Sequence, residues 1–205
     1  MHFGRGEEAT LDFEEIRDEQ AADEDMLKPG EKRALLRWGV CILLAVTATL
    51  MLLVGATFFL RPTLTHGHSM DPTLTHGDRG LAWVWNYTPA YGDVVVIKDT
   101  HINDKYIVKR IIGLPGDVID IDYDAGVVYR NGQPLEEPYT ASPTNDRGDM
   151  PLPLTVPENQ AFVLGDNRNN STDSRTLYVG LIDQQRLMGR MVWRFYPFDK
   201  MGSIS

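Results

Sequence analysis

Cysteine is nearly absent from this chain of 205 residues: Cys41 stands alone, so no disulfide forms within it and no zinc site can be built on cysteines. Basic residues are also in short supply, with 20 lysines and arginines against 29 aspartates and glutamates and a net charge of -9. That balance argues against a nucleic-acid binder, whose phosphates must be met by a basic face. No HExxH occurs, which removes the commonest helical zinc motif. Charge is missing altogether from Trp38 to Leu60, and helical periodicity is missing from most of the chain beyond residue 60.

The negative charge is concentrated at the start. Residues 1–33 hold eleven acidic and five basic side chains, six of the nine excess charges. The stretch EEATLDFEEIRDEQAADEDMLKPG has few large apolar residues and cannot bury enough surface to offset its ordering entropy. It reads as a solvated tail with at most a transient helix around Leu11–Glu24, or as an acidic docking segment.

The uncharged run WGVCILLAVTATLMLLVGATFFL spans residues 38–60. At about 1.5 Å per residue it makes roughly 35 Å of helix, enough to cross a hydrocarbon core of about 30 Å. It is longer than the apolar part of a cleaved signal peptide, and a long acidic tail precedes it. Lys28, Lys32, Arg33 and Arg37 lie on its N-terminal side, whereas Arg61 alone is close on the other. The positive-inside rule then places the tail in the cytoplasm and the rest beyond the plasma membrane. The expected organisation is a cytoplasmic tail at 1–33, a transmembrane helix at 34–61 and an extracytoplasmic domain at 62–205.

That outer domain reads as strands. LAWVW (81–85), DVVVIK (93–98), KYIVKRIIGL (105–114), DVIDID (117–122), GVVYR (126–130) and AFVLGD (161–166) are short β-branched or aromatic runs separated by turn residues. DAG at 124–126 and NG at 131–132 suit hairpin turns, and the proline-rich residues 139–158 read as a surface excursion. The expected fold class is mainly β, a compact sandwich- or barrel-like catalytic domain preceded by a single transmembrane helix. Trp83 and Trp85 fit either a lipid boundary or an ordinary half-buried strand.

The stretch TLTHGHSMDPTLTHGDRG, 63–80, is where chemistry concentrates. Its TLTHG repeat stops after two copies, so no solenoid is implied. His66, His68 and His76 would bind metal only if the loop folded back on itself, and an i, i+2 pair points opposite ways on a strand. Ser69 is bracketed by Gly67, Met70 and Pro72, which suits a nucleophile on a tight turn and equally a plain loop serine. A nucleophilic serine needs a base. His101 is one candidate and Lys109 another. On a strand over 105–112, Ile107, Lys109 and Ile111 share a face. Lys109 then either reaches solvent along its stem or is buried, and burial would lower its pKa and make it a general base.

Four segments in order, GHSMDPTL (67–74), YGDVVVIK (91–98), KRIIGLPGDVIDI (109–121) and GDNRNNSTDSR (165–175), resemble those of type I signal peptidases, also called leader peptidases. With the anchor, the resemblance covers residues from about 35 to the mid-190s. It implies a serine endopeptidase with a Ser–Lys dyad on a mostly β fold, needing no metal or other cofactor. By position, Ser69 matches the nucleophile and Lys109 the general base. Arg110, Gly113, Pro115, Gly116 and Asp117 match structural positions, Ser171 a hydroxyl that helps hold the lysine amine, and Asp173 and Arg175 a charged pair beside the site. The Ser69 N–H would be one oxyanion donor. Gly67 stands where some members carry a serine whose hydroxyl is the second. Thr65, Met70, Leu74 and Val108 are the candidates for the shallow pockets that accept small side chains before the cut. The implied partners are signal-peptide-bearing pre-proteins and the lipid bilayer, with no nucleic acid.

Three other readings compete. A specialised peptidase of the conjugation-system or organelle inner-membrane type would share the chemistry. A self-cleaving repressor of the SOS type would need a DNA-binding helix-turn-helix before the catalytic part, where this chain has an acidic tail and a lipid-length span. A catalytically silent binding module would have no need of both Ser69 and Lys109.

Overall fold

The computed structural model describes residues 28–98 and 106–204. The transient helix at Leu11–Glu24, the candidate His101 and the first residue of the 105–114 run lie outside them.

Helix α1, Pro29–Phe59, begins with proline in its first position, where no amide partner is lost. Glu31 accepts a hydrogen bond from the Lys28 N–H at 3.0 Å, closing the first turn. Two threonines are tolerated in the apolar run because each returns its hydroxyl to the helix: Thr47 donates to the Leu44 carbonyl and Thr49 to that of Ala45. No residue of α1 is buried, and the helix is long and apolar enough to cross a membrane. Among the described residues, those up to Val54 fall in one unit and those from Gly55 onward in a second.

The second unit is built on strands β1 Leu60–Leu64, β2 Arg79–Trp83, β3 Val94–Lys98, β4 Tyr106–Gly113, β5 Val118–Asp122, β6 Val127–Arg130, β7 Gln133–Pro134, β8 Leu154–Thr155, β9 Gln160–Leu164, β10 Ile182–Asp183, β11 Leu187–Tyr196 and β12 Gly202–Ser203. They form an eight-stranded sheet in the order β1-β2-β11-β3-β4-β9-β10, with β12 on β11, and a four-stranded sheet in the order β7-β6-β5-β8. Every pairing is antiparallel. The mainly β architecture is the one the sequence predicts.

The period-2 pattern decides where the core sits. On β9, Phe162 and Leu164 face Ile119, Ile121 and Val128, joining the two sheets in one cluster with Ile112. Ala161 and Val163 point the other way and pack with Val95, Ile97, Ile111 and Ile182. A third cluster holds Met70 and Leu74 from the loop after β1 against Ala82, Val94, Val96 and Met191. The 124–126 hairpin joins β5 to β6, and Asn131 and Gly132 turn β6 into β7 with φ of 54° and 76°.

Several elements differ from the sequence reading. Leu60 begins β1 rather than ending the helix, and Pro62 sits within β1. Proline is tolerated there because β1 is an edge strand. The longest strand, β11, is not among the six predicted. Register shifts between Met191 and Trp193 and between Arg194 and Tyr196 break its alternation as it bends to pair with β2, β3 and β12. β2 stops at Trp83, so Trp85 lies in the following turn, where its carbonyl accepts the Trp83 indole N–H. Phe59 stacks on Trp83 at 5.6 Å and meets Trp85 edge-on at 5.4 Å.

Candidate active site

Lys109 sits on β4 between Ile107 and Ile111 on the same face, opposite Val95 of β3, and is 3 % exposed. The burial alternative is therefore the one realised. The β4–β9 register runs Ile111↔Val163 and Arg110↔Leu164, one residue short of Lys109 on β4 and of Gly165 after β9. Gly165 has no room for a side chain: a Cβ there would collide with Ser171 Oγ and with the Ser69 carbonyl. The Ser69 loop and the 165–175 segment thus meet at one glycine. Asn167 fastens the loop, donating its main-chain N–H to the Ser69 carbonyl at 3.0 Å and its side-chain amide to the His68 carbonyl at 2.9 Å.

Charge around the amine is organised by two arginine–carboxylate pairs. Arg110 donates to both oxygens of Asp166 at 2.8 and 2.7 Å, and Arg175 to both of Asp173 at 2.8 and 2.9 Å. Fork-to-fork bonding of this kind commits each carboxylate to its arginine. Asp173 also accepts the Gly165 N–H at 3.0 Å. Lys109 therefore feels Asp173 and Asp166 only at a distance, while Arg175 opposes them. Burial dominates and pushes its amine from near 10.5 down to about 8.

The remaining predicted residues fall around this centre. Ser171 Oγ is buried without a hydrogen bond, so the bond to the lysine amine that the resemblance implies is not formed here, although the side chain abuts Gly165. Gly67 has φ of 87° and leads into Ser69 without a hydroxyl of its own. Asp117 caps the turn that ends β4, accepting the Leu114 N–H at 2.8 Å, and also accepts the Asn131 side-chain amide. Met70 and Leu74 are the core residues of the Ser69 loop, Thr65 is buried and Val108 is half-buried against their cluster. The three histidines are adjacent, with His76 5.7 Å from His66 and 5.9 Å from His68, ring centre to ring centre. No group of three His, Cys, Asp or Glu is placed to hold a metal among the described residues.

Sequence reading missed the rest of the scaffold. Arg168 is buried, donates to the Gly165 carbonyl, and forms a two-bond pair with Glu137. Tyr139 stacks on the Arg110 guanidinium at 3.9 Å and donates its hydroxyl to Glu137. Charged residues immediately after the apolar run AFVLG were a usable signal for Asp166 and Arg168. Glu137 and Tyr139, in a stretch that reads as loop, gave none.

Residues 35–196 match the family described as Signal peptidase, peptidase S26. The chain belongs to that family. A signal peptidase I of Bacillus licheniformis is 36 % identical over 181 residues, covering 83 % of this chain and 94 % of the relative. A probable signal peptidase I-2 of Synechocystis is 38 % identical over 170 residues, 78 % of this chain and 74 % of the relative. Among solved structures, a signal peptidase I from Enterococcus faecalis V583 is 31 % identical, covers 51 % of this chain and 97 % of that one, and superposes with a TM-score of 0.41. Signal peptidase membership agrees with the four segments and their order, which lie inside the matched range.

Proposed function

We propose that Ser69 is the nucleophile and Lys109 the general base of a signal peptidase I, a serine endopeptidase that removes N-terminal signal peptides from exported precursors after small residues. The observation that carries the assignment is the buried lysine, its amine lowered to about 8 and its neighbouring carboxylates already bound to arginines, on the strand whose partner β9 leads into the glycine that the Ser69 carbonyl abuts.

In this mechanism neutral Lys109 takes the Ser69 proton as Oγ attacks the scissile carbonyl, and the Ser69 N–H donates to the developing oxyanion. The resulting ammonium gives its proton to the leaving amine, which departs as the acyl-enzyme forms. The lysine, neutral again, removes a proton from water, the hydroxide attacks the acyl carbon, and the proton returns to Ser69. The precursor's extended segment lies along the strands preceding Ser69 and Lys109, bonded through its main chain. Thr65 and Val108 line the shallow pockets, with Met70 and Leu74 as their apolar floor. Gly67, Ser171, Arg110, Asp173 and Arg175 support the dyad. α1 is the anchor in the plasma membrane, tail inside and catalytic part outside, concentrating enzyme and tethered precursor in one plane.

The direct test is cleavage of a signal-bearing precursor by purified enzyme. Ser69→Ala and Lys109→Met are each expected to abolish processing while remaining folded and membrane-bound; full processing by either variant removes that residue from the reaction. Activity is expected to survive EDTA, and loss that zinc restores would return the histidines to consideration.

A further inference from the structure

Gly67 presents a difficulty in a loop that must hold a nucleophile still. With φ of 87° and open space where a side chain would stand, it has no side-chain packing to fix it. The ladder between β1 and β2 continues one step past the strands, where the Thr65 N–H donates to the Asp78 carbonyl at 2.8 Å and the Gly77 N–H to the Thr65 carbonyl at 2.9 Å. At the next step no main-chain carbonyl takes part. The Gly67 N–H instead donates to Nδ1 of His76 at 3.2 Å. The imidazole stands in for a carbonyl and extends the ladder to two residues before Ser69.

The same ring touches both neighbours of that glycine. It lies against His66 at 5.7 Å and against His68 at 5.9 Å, and His68 is itself tied to Asp71 through Nδ1 at 3.0 Å. One side chain therefore contacts all three residues that lead into Ser69. A main-chain N–H can only donate, so Nδ1 of His76 carries the lone pair and its proton sits on Nε2. A metal at Nε2 would force that proton onto Nδ1 and break the bond to Gly67. The ring is set up to hold the loop rather than to bind an ion.

We infer that His76 is a positioning residue for catalysis: its Nδ1 fixes the Gly67 peptide and thereby the placement of Ser69 before Lys109. The inference rests on the assignment of Ser69 as nucleophile. It does not ask His76 to touch substrate.

The test uses full-length enzyme in detergent micelles, a synthetic signal-bearing precursor, and the variants His76→Asn, His76→Gln and His76→Ala, with Ser69→Ala beside them. Asparagine carries its carbonyl oxygen one bond beyond Cγ, where histidine carries Nδ1, whereas glutamine carries it at the reach of Nε2. His76→Ala and His76→Gln are expected to lose about tenfold in kcat with little change in KM, the size of one positioning hydrogen bond, while His76→Asn recovers most of that loss. A merely structural role would not rank asparagine above glutamine, and thermal unfolding of the two is expected to agree. Should the alanine variant fail to fold, the asparagine–glutamine comparison decides alone. Equal kcat in all three variants, or a loss confined to KM, overturns the inference while leaving a dead Ser69→Ala and its assignment intact. Cleavage by Ser69→Ala would instead overturn the nucleophile and this inference with it.

Discussion

Lys109 is the residue on which the proposed chemistry turns, and its physical state is set by competing effects. Burial disfavours the ammonium, Asp173 and Asp166 favour it, Arg175 disfavours it, and burial is the largest. At pH 7.5 an amine at about 8 is neutral in roughly a quarter of molecules, against about one in a thousand for an ordinary lysine. With neutral Lys109 as the proposed base, kcat/KM is expected to rise with pH through about 8 and then level; a profile flat from pH 6 to 9 would contradict it. The same shift has a cost in stability. Below about 8 the folded state holds a buried charge that the unfolded chain keeps in water, and the penalty disappears as pH rises from about 8 toward 10.5. Lys109→Met is therefore expected to be more stable than the parent at pH 7, by about 3 kcal/mol, with the gap closing above pH 8. Urea unfolding at pH 7 and at pH 10 measures both values, and a gap independent of pH would show that the methionine acts only through packing.

At the level of elements, β4, β9 and the 165–175 segment form one device. β4 supplies Lys109 and Arg110 on opposite faces, and β9 leads into Gly165, where the Ser69 loop and the 165–175 segment meet. The returning segment supplies Asp166, Asn167, Asp173 and Arg175. Breaking a buried pair leaves a desolvated charge behind, so Arg175→Met is expected to cost about 3–5 kcal/mol. Arg190, half-exposed in its pair with Asp93 at 3.4 Å, is the contrast: Arg190→Met is expected to cost less than about 1 kcal/mol. Denaturant midpoints of the two variants make the comparison, and equal losses would mean that burial is not what gives the inner pair its weight. Much of this device was legible. The alternation in KYIVKRIIGL placed Lys109 with Ile107 and Ile111 on one face, because side chains on a strand alternate whatever surrounds them. Whether that face was buried was not legible, since it depends on Val163 and Val179, more than fifty positions away and packed there only by the fold. Edge strand β1 was hidden by Arg61 and Pro62, and β11 by its bulges. Partners of buried ions, such as Glu137 for Arg168, are joined across long separations that no local pattern records.

At the scale of the whole molecule there is an apolar helix with no buried residue, and a β unit whose core joins two sheets. The helix was readable because lipid imposes a length on the sequence itself, and the charge asymmetry around it is the basis of the proposed orientation. Protease added to the cytoplasmic face of sealed membranes is expected to remove the acidic tail and spare the β unit; the opposite pattern would invert the topology and put Ser69 on the wrong side of the bilayer. The proposed function asks one thing of this organisation, an uncharged amine beside a serine outside the membrane. The most direct measurement of that claim is the titration of Lys109 itself, followed by NMR of lysine labelled at Cε in the Ser69→Ala enzyme and assigned with Lys109→Met. A midpoint at about 8, well apart from the surface lysines, is the expected result, and a midpoint near 10.5 would contradict the account.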